Sequence, residues 1–400
     1  MHSYLSEKNF LYLYLYKMFY RGSTAPVHIF TGTGLVVMGA SITSVIFFYA
    51  LTILTLGLMS PVGVFVMNHY SVKIAAMSSV MFRFLFFVCL LLVERGQHDL
   101  LWLGAFFYGC SYGIFPMKDI MEAIYIKGNA HRGKQMTMAM VLAGIMVSIT
   151  VALSGYFLSI YGFIALIAIS LFLQSCSIVV LLKMKGEPLC IENYKISDGY
   201  SVAIKERPLK GIYPMVWAQQ MVFTVSIVML PLYMFHVIGD MRVFAFVAAS
   251  AALLEVFVTL VFGRFIDKSV TGGAQRQGAL MTVISAVILT LFVKTPLTAL
   301  LADSFNKMTM NMLVVSTNTS IHKLLRSKDK GHLLLYSAVW QMTYSFFEVF
   351  SLLGLALVYH YFGLTVFTVS FAMLAFGGFF NYYNFSENKE KQRKMLLDGA

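Results

Sequence analysis

The 400-residue chain is 59% hydrophobic and only 12% charged, with a mean hydropathy of +0.76 and a net charge of +12. A water-soluble domain is about 45–50% apolar and about 25% charged, so this chain cannot cover its apolar surface in water and belongs in a lipid bilayer. The four cysteines, Cys89, Cys110, Cys176 and Cys190, have neither metal-ligand spacing nor the look of a disulfide frame.

A membrane span needs about 20 mostly apolar residues. In chain order the sequence predicts twelve, at 9–31, 42–67, 72–93, 100–122, 136–158, 162–183, 212–236, 243–264, 278–293, 296–320, 332–358 and 364–384. Lys17 and Arg21 interrupt the first, and "RGSTAP" after them reads as a loop. The alternative there is an interfacial helix at 4–20 followed by one long span. The start "MHSYLSEKNF" lacks the basic region of a cleavable leader, so the spans themselves are expected to drive insertion.

Sidedness follows from the bases. With both termini in the cytoplasm, the inner segments hold 22 Lys and Arg, the outer loops hold only Arg95, Arg242 and Lys294, and five lie inside spans. Positive residues stay on the cytoplasmic side, which predicts an even number of spans and accounts for the net charge without a nucleic-acid partner.

The hydrophilic stretch 184–211 divides the chain into six spans and six: an amino-terminal unit 1–183, a linker, a carboxy-terminal unit 212–384 and a tail 385–400. The halves echo one another. "PVHIF" at Pro26 answers "PLYMF" at Pro231, "GVFVMNH" at Gly63 answers "GRFIDKS" at Gly263, and "HRGKQ" with Arg132 answers "DKGHL" with Lys330, at offsets of 205, 200 and 198 residues. Parallel internal repeats are a transporter signature, because two similar bundles can rock about a shared central site.

"Gly263-Arg264-Phe265-Ile266-Asp267-Lys268" resembles the G-x-L-x-D-R/K loop of the major facilitator superfamily, and "Arg132-Gly133-Lys134" its turn before span five. The resemblance implies an all-α membrane protein of twelve transmembrane helices in two pseudo-symmetric six-helix bundles. It also implies a cytoplasmic gate at Gly263, Arg264, Asp267, Lys268 and Arg132, and a cavity lined by spans one, four, seven and ten. The alternative for the gate segment is a solvated turn. The pattern departs in the first half, where Met67 stands at the acid position and Tyr70 and Ser71 replace glycine and arginine.

Ten ionisable side chains fall within the spans: Lys17, Arg21, Arg83, Lys118, Asp119, Glu122, Glu255, Asp303, Lys307 and Glu348. A charge at a span centre costs about 2.5–3.5 kcal/mol or more, so it faces a partner or a polar cavity. Arg21, beside Gly22, Ser23 and Thr24, is a candidate for an anionic solute group; the alternative is a structural ion pair. Asp303, Lys307 and Asn311 recur every four residues and form a polar stripe on span ten. Gln219 and Gln220, next to Trp217, offer amides on span seven. Glu255 and Glu348 are lone acids suited to carrying a proton, since burial favours the neutral form; the alternative is pairing with a neighbouring base.

No phosphate-binding loop, zinc-protease motif or nucleophile elbow is present. The sequence therefore predicts a cofactor-free, monomeric secondary transporter of a bacterial inner membrane, its partners a small-molecule solute, protons and lipid. The mixed charges and aromatics favour export of an amphipathic natural product such as a peptide-like antibiotic or siderophore. Import of a small metabolite and flipping of a lipid-linked headgroup are alternatives, and a polytopic membrane enzyme or sensor is the alternative of a different class. Asp267→Asn is expected to leave the protein inserted but slow its flux; full transport by the variant removes the gate assignment.

Overall fold

A spanning segment must satisfy its backbone amides and carbonyls internally, and the apolar runs of this chain are helical. The computed structural model describes residues 2–115, 132–183, 213–268, 273–325 and 330–398. Lys118, Asp119, Glu122 and the 184–211 linker lie outside the described residues.

Among those residues every regular element is helical. In order they are α1 (His2–Val37), α2 (Ile42–His69), α3 (Val72–Glu94), α4 (Leu100–Gly113), α5 (Arg132–Tyr161) and α6 (Phe163–Lys183). Then come α7, in three continuous parts (Tyr213–Thr224, Val225–Met229 and Leu230–Ile238), α8 (Met241–Lys268), α9 (Gly273–Phe292), α10 (Pro296–Leu325), α11 (Lys330–Phe362) and α12 (Thr365–Asp398). Seven carry described stretches long and apolar enough to cross a membrane, and the chain is a multi-pass membrane protein.

Two expectations change. "RGSTAP" is not a loop: α1 runs unbroken through it, with Pro26 inside the helix. The last helix also continues past 384, to Asp398.

Short capped turns close one end of the molecule. Ser41 Oγ accepts the Ser44 amide, 3.1 Å away. The Glu94 carboxylate accepts the Phe163 amide at 3.2 Å, so an acid ending α3 caps the start of α6. The reversal there uses Gly162 at φ +66°, a left-handed conformation that glycine adopts without strain. Asp240 Oδ1 accepts the amides of Arg242 and Val243 at 2.7 and 3.0 Å, and these donors hold its carboxyl below the usual value.

The first six helices meet the last six most extensively along two lines, α2 against α11 and α5 against α8, with α1 also touching α7. Both are built from small residues, which let helix backbones approach closely in lipid. A Cβ at Gly155 would collide with Ala245, one at Gly144 with Val256, and one at Gly57 would lie 2.6 Å from the Ser345 Cβ. Ser148 Oγ donates to the Ala249 carbonyl at 2.6 Å. Near the short-turn end, Phe244 of α8 meets Phe30 of α1 and Phe235 of α7 edge-on, each at 5.9 Å between ring centroids. Arg242 Nε donates to Ser159 Oγ at 2.9 Å, joining α8 to α5. The halves are closed on each other at this end.

The seam's tightness is testable against a control on the same scaffold. Gly155→Ala is expected to lower the Tm of the purified protein, at about 1–3 kcal/mol for overpacking. Gly354→Ala, with nothing within 4 Å of its Cβ, is expected to leave Tm unchanged or raise it. Equal effects of the two would mean that α5 and α8 have room to spare.

Candidate functional site

The second-half wall of the seam is built by α7, α8, α10 and α11. On α7, Gln219 and Gln220 are buried, at 1% and 4% exposure, whereas their neighbour Trp217 is 37% exposed. The Tyr344 hydroxyl of α11 donates to Gln219 Oε1 at 3.4 Å, and Trp340 packs on Tyr344. Ser345 of α11 meets Gly57 of α2. Glu348 lies one turn beyond Tyr344 and Ser345, on the face between α7 and α2. It is half-buried, and no described residue hydrogen-bonds or pairs with it.

Higher on α7, Val225–Met229 forms one wide π turn just before Pro231. Proline lacks an amide and crowds the preceding turn, and such turns mark places where a helix is adapted to a function. Asn306 of α10 holds this turn. Its Nδ2 donates to Ser226 Oγ at 3.0 Å, its Oδ1 accepts from Ser285 of α9 at 3.3 Å, and the side chain is 1% exposed. Beside it Lys307 Nζ lies 2.7 Å from Asp303 Oδ2. The two residues predicted to bind solute therefore also neutralise one another.

The first-half wall is basic and aromatic. Lys17, Arg21, Thr24 and His28 recur at i, i+4, i+7 and i+11 and share one face of α1. Arg21 is half-buried with no side-chain partner among the described residues. His28 Nδ1 is 3.4 Å from the Tyr108 hydroxyl and its ring lies 5.1 Å from that of Tyr112, both on α4. The Tyr49 hydroxyl of α2 donates to the His28 carbonyl at 3.1 Å.

Behind α1 lies Arg83 of α3, 0% exposed. Its Nη1 donates to Gln174 Oε1 of α6, an oxygen that also accepts Ser23 Oγ of α1 at 2.9 Å. Its guanidinium carbon lies 4.8 Å from the Tyr112 ring centroid and 5.6 Å from that of Tyr20.

The remaining sequence candidates are placed as follows. Glu255 of α8 is half-buried, three and four residues after the buried Ala252 and Ala251. Gly263, Arg264, Asp267 and Lys268 form the last turns of α8, Arg132 opens α5, and Asn311 continues α10; the side chains of these six are outside the described set. Residues missed from sequence are Asn306, Ser226, Gln174 and the Tyr108–Tyr112–His28 group. The one advance signal was chemical: single amides and an i, i+4 tyrosine pair inside apolar runs. No cluster of His, Cys, Asp or Glu among the described residues has the geometry to hold a metal ion.

Compared with solved structures, the chain is similar to a crystal structure of the nucleoside transporter NupG, with a TM-score of 0.67 and 11% identity, covering 95% of this chain and 99% of that one. The chain shares its fold with a solute transporter. No protein-family model matches the sequence, and no curated protein does.

The Asp303–Lys307 pair yields a quantitative expectation. Lys307→Met strands a mostly buried carboxylate and is expected to destabilise more than the double variant Asp303→Asn/Lys307→Met. Thermal unfolding of the four proteins in the cycle is expected to give a coupling of about 0.5–3 kcal/mol; zero coupling would mean the pair is not formed.

Proposed function

We propose that this chain is a secondary transporter of the major facilitator type that imports a small polar solute. In this reading its twelve helices are twelve spans in two six-helix bundles, with residues 184–211 as the cytoplasmic linker between them. The observation that carries the reading is the seam. We read the basic, aromatic face of α1 and the amides and acids of α7, α8, α10 and α11 as two walls that the packing of α2 on α11 and α5 on α8 brings together. That division of chemistry suits one solute held between two moving halves.

The solute class follows from the wall chemistry and from what the structurally similar transporter carries. Buried amides read hydrogen-bonding edges, and a partly exposed indole stacks on flat rings. A nucleoside-like molecule, polar on one side and flat on the other, matches Gln219, Gln220, Tyr344 and Trp217. Export of a natural product, favoured from sequence, has no support in the site, and the importer alternative fits better. Glu348, at the seam without a described partner, is assigned the proton-coupling role, with Glu255 as the second acid. The gate assigned to Arg264, Asp267, Lys268 and Arg132, the cytoplasmic position of both termini and the monomeric state remain part of this proposal.

Proteoliposomes test it. With an acidic exterior, saturable uptake of radiolabelled uridine or adenosine is expected, collapsing on addition of a protonophore. Glu348→Gln is expected to retain solute exchange at equal pH while losing pH-driven accumulation. Uptake of neither nucleoside would remove the substrate class. Accumulation unchanged in Glu348→Gln would move proton coupling elsewhere.

A further inference from the structure

Arg83 occupies the midpoint of α3, about 16 Å from either helix end, and is fully buried. A guanidinium stays protonated at every accessible pH, so the centre of the first six helices holds a permanent positive charge. The titratable groups around it are the hydroxyls of Tyr16, Tyr20, Tyr108 and Tyr112, with that of Tyr20 within reach of the guanidinium. Among the described residues no carboxylate pairs with it.

The way its donors are used is selective. Gln174 takes Nη1, and two tyrosine rings approach the guanidinium carbon. Nε and Nη2, both buried, have no hydrogen-bond acceptor, and on α6 the hydroxyl of Ser170, one turn from Gln174, is likewise buried without a partner. Nε and Nη2 together form the side-on edge of the guanidinium. That edge presents two parallel N–H donors, the geometry that binds two oxygens of one planar anion. Cation–π contacts offset part of the cost of burying the charge and leave both N–H groups unmet. A water would satisfy the N–H groups but not the charge.

We propose that the Nε–Nη2 edge of Arg83 is a binding site for a small planar oxyanion, a carboxylate or its inorganic equivalent. It lies inside the first-half helices, behind the α1 wall, so its occupant is a resident counter-anion and not the transported solute. It locks Arg83, and through Tyr112 and His28 it steadies the face of α1 that fronts the seam. This role rests on the transport reading of the seam; the binding itself does not.

The test uses full-length protein purified into a Tris–Hepes buffer, whose only anion is a non-planar sulfonate. Titration with sodium acetate or sodium nitrate is expected to raise Tm saturably, and sodium chloride, a single-point acceptor, to do so only weakly. Arg83→Lys, which keeps the charge and loses the fork, is expected to weaken the apparent affinity at least about tenfold. Arg83→Met, a buried apolar replacement of similar length that is often tolerated, is expected to abolish the shift. Acetate responding without nitrate assigns a carboxylate source, and both responding equally assigns the general oxyanion. A saturable rise that persists in both Arg83 variants overturns the proposal. So does a wild type that responds to neither anion. Uridine uptake in the same preparation separates the two readings: anion binding without uptake sinks only the transporter assignment, and uptake without anion binding sinks only this one.

Discussion

Close approach of helix backbones across the seam is the constraint on which the other features rest. Lipid offers no hydrophobic drive to hold two apolar helices together, so association depends on packing and on interhelical hydrogen bonds. Gly57, Gly144 and Gly155 supply the packing, and Ser148 the hydrogen bond to Ala249. If those positions carried larger side chains, α2 and α11, and α5 and α8, would stand apart. The walls of α1 and α7 would then no longer share one space. Small residues also make a surface over which helices slide with little interlocking.

Within that frame the in-span charges of the described residues differ between the halves. Among the described residues the first six helices contribute Lys17, Arg21 and Arg83, all basic, and the last six contribute Glu255, Asp303 and Glu348, with Lys307 bound to Asp303. Among the described residues the in-span charge therefore differs in sign between the halves. Charges interact strongly in a low-dielectric surround, so access of water to these groups changes their energy. The uncharged side chains act differently. Asn306, Gln174 and Gln219 each join two or three helices, and so fix the walls from behind.

Much of the helix pattern was legible in the sequence, because a bilayer imposes one length and one composition on each span. The failure at "RGSTAP" has the same origin. Gly22, Ser23, Thr24 and Pro26 would break a helix in water, where a freed carbonyl finds a solvent partner. Inside an apolar medium no such partner exists, and the helix persists, with Ser23 and Thr24 bonding back to the carbonyls of Tyr20 and Arg21. Met67, out of pattern at the acid position of the first-half repeat, is 2% exposed and packs with Val64, Tyr16 and Tyr20. The position is part of the apolar core there. Asn306 and Gln174 could not be ranked in advance, since a lone amide in an apolar run reveals its partners only when other helices are placed around it. Asp303 and Lys307 were recognisable by spacing, yet spacing alone does not separate a pair that holds solute from a pair that holds itself.

The wide turn at Val225–Met229 carries a consequence of phase. A π turn takes up one residue more than an α turn, so side chains before and after it are offset by about one residue's rotation, about 100°. Gln219 and Ser226, seven apart, would share a face in an uninterrupted helix. With the extra residue inserted, α7 is keyed to different neighbours before the turn and at it, to Tyr344 of α11 through Gln219 and to Asn306 of α10 through Ser226. Loss of a single residue from this turn would leave the helix as long and as apolar as before and yet misalign one of those two engagements. The length of α7 is therefore under tighter control than its composition.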